Sequence, residues 1–353
     1  MILNINKQLI DFLKSKRFII AAGLIVVIAS LLWVYNNYNK VYKPNVKHAT
    51  TLYIPTSSDY QVVVKILKDQ DLLRDTNSFN WVAHLKNYPS HIKPGAYKIN
   101  EGWSNNILIN KLRSGIQTPV SVTFTNIRFR ENLAGRLALC FEADSISFLS
   151  VLNNDSLAKK YGLTHDNFTS IFIPNTYEFY WTTSPLKFVE RMKKEYDIFW
   201  NESRKKKAAD LGLTPTQVIT LASIIQEETN KNDEKPRIAG VYINRIHRGM
   251  LLQADPTIKF AMKDFAIKRI LNEYLKIDSP FNTYLYAGLP PGPINFPDIE
   301  SIDAVLNAEK NDYLFFCAKE DFSGYHNFAK TLHEHDKNAA KYQSALNRNK
   351  IWK

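Results

Sequence analysis

The chain has 353 residues, 45% of them hydrophobic and 12% aromatic. That composition builds one or two packed domains and excludes a largely disordered chain, which could not bury enough apolar surface to offset the entropy of ordering. A formal charge of +12 favours an acidic partner, and nucleic acid, anionic lipid and an acidic wall polymer all meet that condition on charge alone.

The first element is "RFIIAAGLIVVIASLLWVY", Arg17–Tyr35, uncharged from Phe18 onward. At about 1.5 Å per residue the stretch 18–35 nearly crosses a bilayer core. Lys7, Lys14, Lys16 and Arg17 precede it, and Trp33, Tyr35 and Tyr38 lie at its far end as interface anchors. This asymmetry predicts a cytoplasmic tail over 1–17, one transmembrane helix, and the rest of the chain outside the cytoplasm, which removes nucleic acid as a partner. A cleaved signal peptide would have a shorter apolar core ending in small residues, whereas this run continues into Leu31, Leu32 and Trp33, so a retained anchor is expected. No cysteine follows the run, so no lipid-modified N-terminus is expected. The two cysteines, Cys140 and Cys317, are far apart, and Cys317 in "YLFFCA" reads as a small buried hydrophobe.

Residues 36–50 are polar and read as a linker. From 51 to 117 the order is strand, helix, strand, helix, with Val63, Ile66 and Leu67 as the apolar stripe of the first helix. The second strand lies around Ala96–Ile99, and Ser104 and Gly115 cap the second helix. Residues 118–347 form a larger mixed α+β region. Helical patterns cover 131–160, 185–210, 214–230 and 234–248, and the apolar runs 313–318 and 326–328 predict strands. "GLPPGPINFP", Gly288–Pro297, is too proline-rich for a helix or central strand and predicts a stiff loop. The basic run "RKKKAAD" at 204–210 reads as a solvated helix face.

In "LASIIQEETN", Leu221–Asn230, two glutamates are adjacent near a helix end. Thr214, Pro215 and Gln217 make a capping-box start, after which Val218, Leu221, Ala222 and Ile225 form one stripe. At about 100° per residue Glu228 falls on the flank of that stripe and Glu227 on the solvated back. A carboxyl against apolar surface has a raised pKa and suits the general acid of glycosidic cleavage. On periodicity alone, a helix-end glutamate paired with Lys231, Lys235 or Arg237 is the preferred reading, since structural ion pairs also perturb carboxylates.

Several segments in order, "LASIIQEET", "AGVYINRIHRGMLLQADPTIKFA", "FNTYLYAGLPPGPINFPDIESIDAVL" and "YLFFCAKEDFSGYHNFAKTLHEHDKNAAKY", resemble the endolytic murein transglycosylase family, the YceG-like proteins. "FIPNTYEFY", Phe172–Tyr180, is similar to that family's Phe-Pro-Asp-Thr-Tyr segment. The resemblance covers nearly everything after the linker. It implies an α+β chain with one anchor in the bacterial inner membrane, a small LysM-like module at 51–117 and a catalytic domain at 118–347. The implied activity is a lytic transglycosylase cutting between N-acetylmuramic acid and N-acetylglucosamine within nascent glycan strands and leaving 1,6-anhydro-muramoyl ends. Peptidoglycan is the implied substrate, peptidoglycan synthases are candidate partners, and no cofactor is needed.

In the family's Glu-Lys-Glu-Thr motif the second glutamate is catalytic, which is Glu228 here; Gln226 and Glu227 depart from the pattern. Gln253, Asp255 and Thr257, with Asn282, Thr283 and Tyr284, are candidates for holding sugar hydroxyls and acetamido groups, although Asp255 also suits a helix cap and Asn282 a loop. Asn244 and Arg245 are candidate braces. His333 and His335 would diverge by about 200° on a helix, and His326 has no second ligand nearby, so no metal is assigned. Two alternatives stay open: a muramidase-type hydrolase with Asp255 as second carboxylate, and a non-catalytic wall-binding scaffold.

Overall fold

The computed structural model describes residues 16–267 and 270–349. The chain divides into two compact units, one running to Val120 and taking in Tyr180–Thr182, the other holding Ser121–Phe179 and the chain from Thr183.

The first unit begins with α1 (Lys16–Tyr42), 27 residues with no buried position. Among the described residues it is the one unbroken helix long and apolar enough to cross a membrane, with a mean hydropathy of 2.6. The predicted tail, with Lys7 and Lys14, lies outside the described residues except for Lys16 and Arg17. The helix outlasts the apolar run, so residues 36–42 of the predicted linker are helical. The rest of the linker is built into the fold: Pro44 and Val46 bridge to Ser104 and Leu73. The buried Asn45 amide donates to the Asp75 carbonyl (2.9 Å) and to Asn105 Oδ1 (2.7 Å).

After it come β1 (Thr50–Ile54), α2 (Tyr60–Asp69), α3 (Thr76–Leu85), β2 (Gly95–Ile99) and α4 (Asn105–Ser114). The strands pair antiparallel, Thr50 opposite Ile99 and Ile54 opposite Gly95. Leu52, Ile54, Tyr97 and Ile99 share one core with Leu67, Phe79, Val82, Leu108 and Leu112. α3 is absent from the predicted order because "TNSFNWVAHL" is rich in poor helix formers. Its cap supports it, since Asp75 accepts from the Asn77 and Ser78 N–H groups. Ser104 and Gly115 cap α4 as the sequence predicts.

The second unit contains β3 (Val120–Phe124) from its second residue on, α5 (Arg130–Ala138), α6 (Ser145–Leu152), α7 (Asp155–Lys160), β4 (Asn175–Phe179), α8 (Pro185–Phe199), α9 (Glu202–Asp210), α10 (Pro215–Glu228), α11 (Lys235–His247), α12 (Asp255–Met262), α13 (Ile299–Leu306), β5 (Phe315–Ala318), β6 (His326–Ala329) and α14 (Leu332–Arg348). β3 pairs with β4, and β5 with β6. The helical stretch 131–160 is three helices and 185–210 is two. Asp144, Asn154 and Asn201 each accept a backbone N–H and start a new helix. Arg204 of the basic run is not simply solvated, for it pairs with Asp303 at 3.1 Å. Cys140 and Cys317 are free thiols, each only partly buried.

α10 is the axis of this core. Every residue from Val218 to Ile225 is buried, so the helix packs on all sides rather than along one stripe. Its capping box is reciprocal, with Thr214 Oγ1 accepting from Gln217 N–H (3.3 Å) and Gln217 Oε1 from Thr214 N–H (2.8 Å). The stiff loop lies along α10: Ile294 N–H donates to Ser223 Oγ (3.0 Å) and Phe296 N–H to the Ile127 carbonyl (2.9 Å). At Gly292 a Cβ would stand 2.1 Å from the Asp166 carbonyl oxygen. Gly292→Ala is therefore expected to destabilise the protein by roughly 2–4 kcal/mol through overpacking. Gly135→Ala, on an exposed turn of α5 with open space around it, should stabilise by up to about 1 kcal/mol. Denaturant titration of the two detergent-solubilised variants checks the contrast.

Candidate active site

α10 ends at Glu228 because Thr229 turns extended (φ −148°, ψ 142°). Tyr242 Oη donates to Glu228 Oε1 at 2.7 Å. Tyr242 is buried on the inner face of α11 with Ile238 and Arg245, spaced i, i+4, i+7. Burial is the main force on the Glu228 carboxyl, raising its pKa to about 7; the charge of Asp255 pushes the same way, while the Tyr242 hydrogen bond, Lys259 and Arg245 oppose it. The C-terminal end of a helix dipole also disfavours a carboxylate there. None of Lys231, Lys235 and Arg237 forms an ion pair with Glu228: Arg237 pairs with Glu309 at 2.9 Å, and Lys231 lies over the Tyr325 ring.

Arg245 is held internally. Its Nε donates to the Leu314 carbonyl (2.6 Å) and Nη1 to the Leu252 carbonyl (2.8 Å), which fastens α11 to the start of the β5–β6 hairpin and to the turn before α12. Asn244 Nδ2 donates to the carbonyls of Asn311 (2.8 Å) and Tyr313 (3.0 Å). Both side chains thus tie α11 to the backbone of neighbouring segments.

Glu227 departs from its predicted place in solvent. It is partly buried, with Arg128 Nη2 2.9 Å from Oε2 and Asn295 Nδ2 donating to Oε1 at 3.0 Å. Gln226 Oε1 accepts from Asp298 N–H (2.6 Å) and Ser301 Oγ (3.1 Å), tying α10 to the start of α13. Two cavities meet at Glu227 and Asn230. One, of about 540 Å³, is lined by Arg128, Gln226, Asn232, Lys235, Asn295 and Asp298 among others. The other, of about 390 Å³, is lined by Glu228, Lys231, Phe322, Gly324 and His326 among others. Both cavities lie at the end of α10.

The predicted contact residues separate into two sets. Gln253 and Asp255 are exposed and Tyr284 is partly so. Tyr284 Oη donates to Asp255 Oδ1 at 2.5 Å, and Gln253 N–H to the Thr283 carbonyl at 3.0 Å. Burial, with help from Asp255, pushes the Tyr284 phenol well above its ordinary pKa. Thr257 and Asn282 are fully buried, and their polar atoms are taken up inside the protein. Thr257 Oγ1 donates to the Ala254 carbonyl (2.7 Å) and so accepts from Thr283 Oγ1 (2.9 Å). Asn282 Nδ2 donates to the carbonyls of Leu275 and Ile277, and its Oδ1 accepts from Tyr284 N–H. These two shape the wall behind the cluster and offer no surface to a sugar.

Tyr242 and Glu234 were not among the residues singled out from sequence. Glu234 is buried and accepts from His326 N–H (2.9 Å), with His326 Nδ1 at 2.7 Å. A tyrosine within an apolar helix stripe is a usable signal, since a buried hydroxyl needs a partner. Among the described residues, no group of three or more His, Cys, Asp and Glu side chains could hold a metal ion.

Residues 52–341 match a family model described as the YceG-like family. The chain is 30% identical over 319 residues to the endolytic murein transglycosylase of Bacillus subtilis (strain 168), covering 85% of this chain and 87% of that protein. It is 27% identical over 338 residues to the endolytic murein transglycosylase of Streptococcus pneumoniae strain R6, covering 86% of this chain and 60% of that protein. A crystal structure of a yceG-like protein from Listeria monocytogenes aligns with a TM-score of 0.54 at 27% identity, covering 82% of this chain and 98% of that one.

Proposed function

The chain belongs to the YceG-like family, and on that premise we propose that it is an endolytic murein transglycosylase. The observation that carries the chemistry is a single carboxyl, Glu228, held by Tyr242, raised to a pKa of about 7 and lining a cavity at the end of α10. In that state it is protonated in about half its population at neutral pH and can give a proton to the leaving glycosidic oxygen. The anomeric carbon then develops oxocarbenium character, and the C6 hydroxyl of the same muramoyl unit attacks it while the new carboxylate accepts the hydroxyl proton. The C1–O bond to the leaving sugar breaks, the C1–O6 bond forms, and the acid is restored. No water is consumed, so the two-carboxylate arrangement of hydrolysis is unnecessary. The Tyr242 hydroxyl holds the carboxyl in place through both transfers. Gln253, Asp255 and Tyr284 are assigned to the sugar substituents. α1 anchors the enzyme in the cytoplasmic membrane with the catalytic unit outside, and the compact module that follows acts as a LysM-like spacer beside nascent strands and their synthases.

The charge of Asp255 acts on Glu228, which favours a muramidase-type hydrolase as the second reading. Mass analysis of fragments released from peptidoglycan by the solubilised full chain decides between them. Transglycosylation yields anhydro ends lighter by one water, whereas reducing ends would overturn it in favour of hydrolysis.

A further inference from the structure

Phe322 takes no part in the mechanism above, yet it lines the cavity that also holds Glu228. It stands at the tip between β5 and β6, 43% exposed, with φ +56°. The left-handed region is disfavoured for a bulky side chain and persists only where the surroundings impose it. Here the tip imposes it. Lys319 N–H donates to the Tyr325 carbonyl (2.9 Å), Phe322 N–H to the Lys319 carbonyl (3.3 Å), and Asp321 Oδ1 accepts from Ser323 N–H (3.0 Å). The ring leans on Tyr342 of α14, with centroids 6.0 Å apart and planes tilted by 56°.

The neighbouring aromatic, Tyr325, is already engaged. Lys231 and Lys319 lie 4.9 and 5.7 Å from its ring centroid, and its hydroxyl donates to Asp233 at 3.2 Å. His326, the other ring lining this cavity, is held by Glu234 at 2.7 Å and meets Phe316 edge-on at 5.3 Å, so Phe322 is the exposed aromatic face left for a ligand. A pyranose is polar at its rim but carries axial C–H groups on its faces, and these pack on an aromatic π-surface with burial of apolar area. Resting on the transglycosylase reading, we propose that Phe322 is a stacking platform for an N-acetylhexosamine ring of the glycan, in a subsite next to the bond that Glu228 cuts. It sets affinity for the strand and does not touch the reacting atoms.

Kinetics of the solubilised full chain on glycan strands test this, comparing wild type with Phe322→Ala, Phe322→Gly and Phe322→Tyr. The glycine variant keeps the left-handed backbone at ease while removing the ring, which separates loss of stacking from a disturbed turn. The expected result is a KM about tenfold higher in both Ala and Gly variants with kcat within about twofold, and recovery in Phe322→Tyr. Unchanged KM in the Ala and Gly variants, a loss confined to kcat, or no recovery with tyrosine would overturn it. A wild-type chain that releases no anhydro ends would defeat the parent reading and this one together. Wild-type release with an unchanged KM in the variants would defeat this one alone.

Discussion

Glu228→Gln should lower the release of anhydro-ended fragments by about a thousandfold or more while the protein still folds. A positioned acid–base group contributes about 10²–10⁴ in rate, and here one carboxyl serves in both directions of proton transfer. Glutamine keeps the shape and still accepts from the Tyr242 hydroxyl, which donates to Oε1 in the native protein, but it cannot give up and recover a proton. Its effect on stability has a definite sign. Burial raises the native carboxyl from 4.5 to about 7, so between those values the folded chain holds a proton that the unfolded chain has lost. Wild-type stability therefore falls as pH rises from about 4.5 to 7 and stays lowered above that, by up to about 3 kcal/mol for a shift of this size. Glutamine carries no such penalty. The variant should melt higher than wild type at pH 8, with the advantage largely gone near pH 4.5. Wild-type rates in the variant would reject Glu228 as the acid.

What could be seen in the sequence was what local geometry decides. A capping box at Thr214 starts α10, and the helical period counted along it puts Glu228 on the flank of the Val218–Ile225 stripe, where Tyr242 meets it. The fate of Glu227 could not be read the same way. Its partners, Arg128 and Asn295, are 99 and 68 residues away in sequence, so its surroundings exist only once the stiff loop lies along α10. The same holds for Thr257 and Asn282, polar residues in a polar segment whose burial depends on how the turns at 251–257 and 275–284 fold onto each other. The helical stretch 131–160 failed at its interior boundaries, because Asp144 and Asn154 suit a helix face as well as a cap until the chain's direction is known. Tyr242 was legible in principle, and its position in the stripe of α11 asks for a hydroxyl partner that the end of α10 supplies.

The pH profile of kcat/KM should be flat below neutrality and fall about tenfold per unit above a limb near pH 7, because the free enzyme must carry the Glu228 proton. Two substitutions should move that limb in opposite directions. The Tyr242 hydroxyl stabilises the carboxylate and holds the pKa down, so Tyr242→Phe raises it and shifts the limb to higher pH. The plateau should also drop by roughly tenfold, since the carboxyl loses the bond that orients it. The charge of Asp255 pushes the pKa up, so Asp255→Asn shifts the limb to lower pH. Loosened packing around α10 would admit water and move both variants the same way, toward an ordinary carboxylic acid. Opposed shifts therefore report the electrostatics at Glu228 itself, and parallel shifts, or no limb near neutrality in the wild type, would reject the single-acid mechanism even if the protein proved to bind murein.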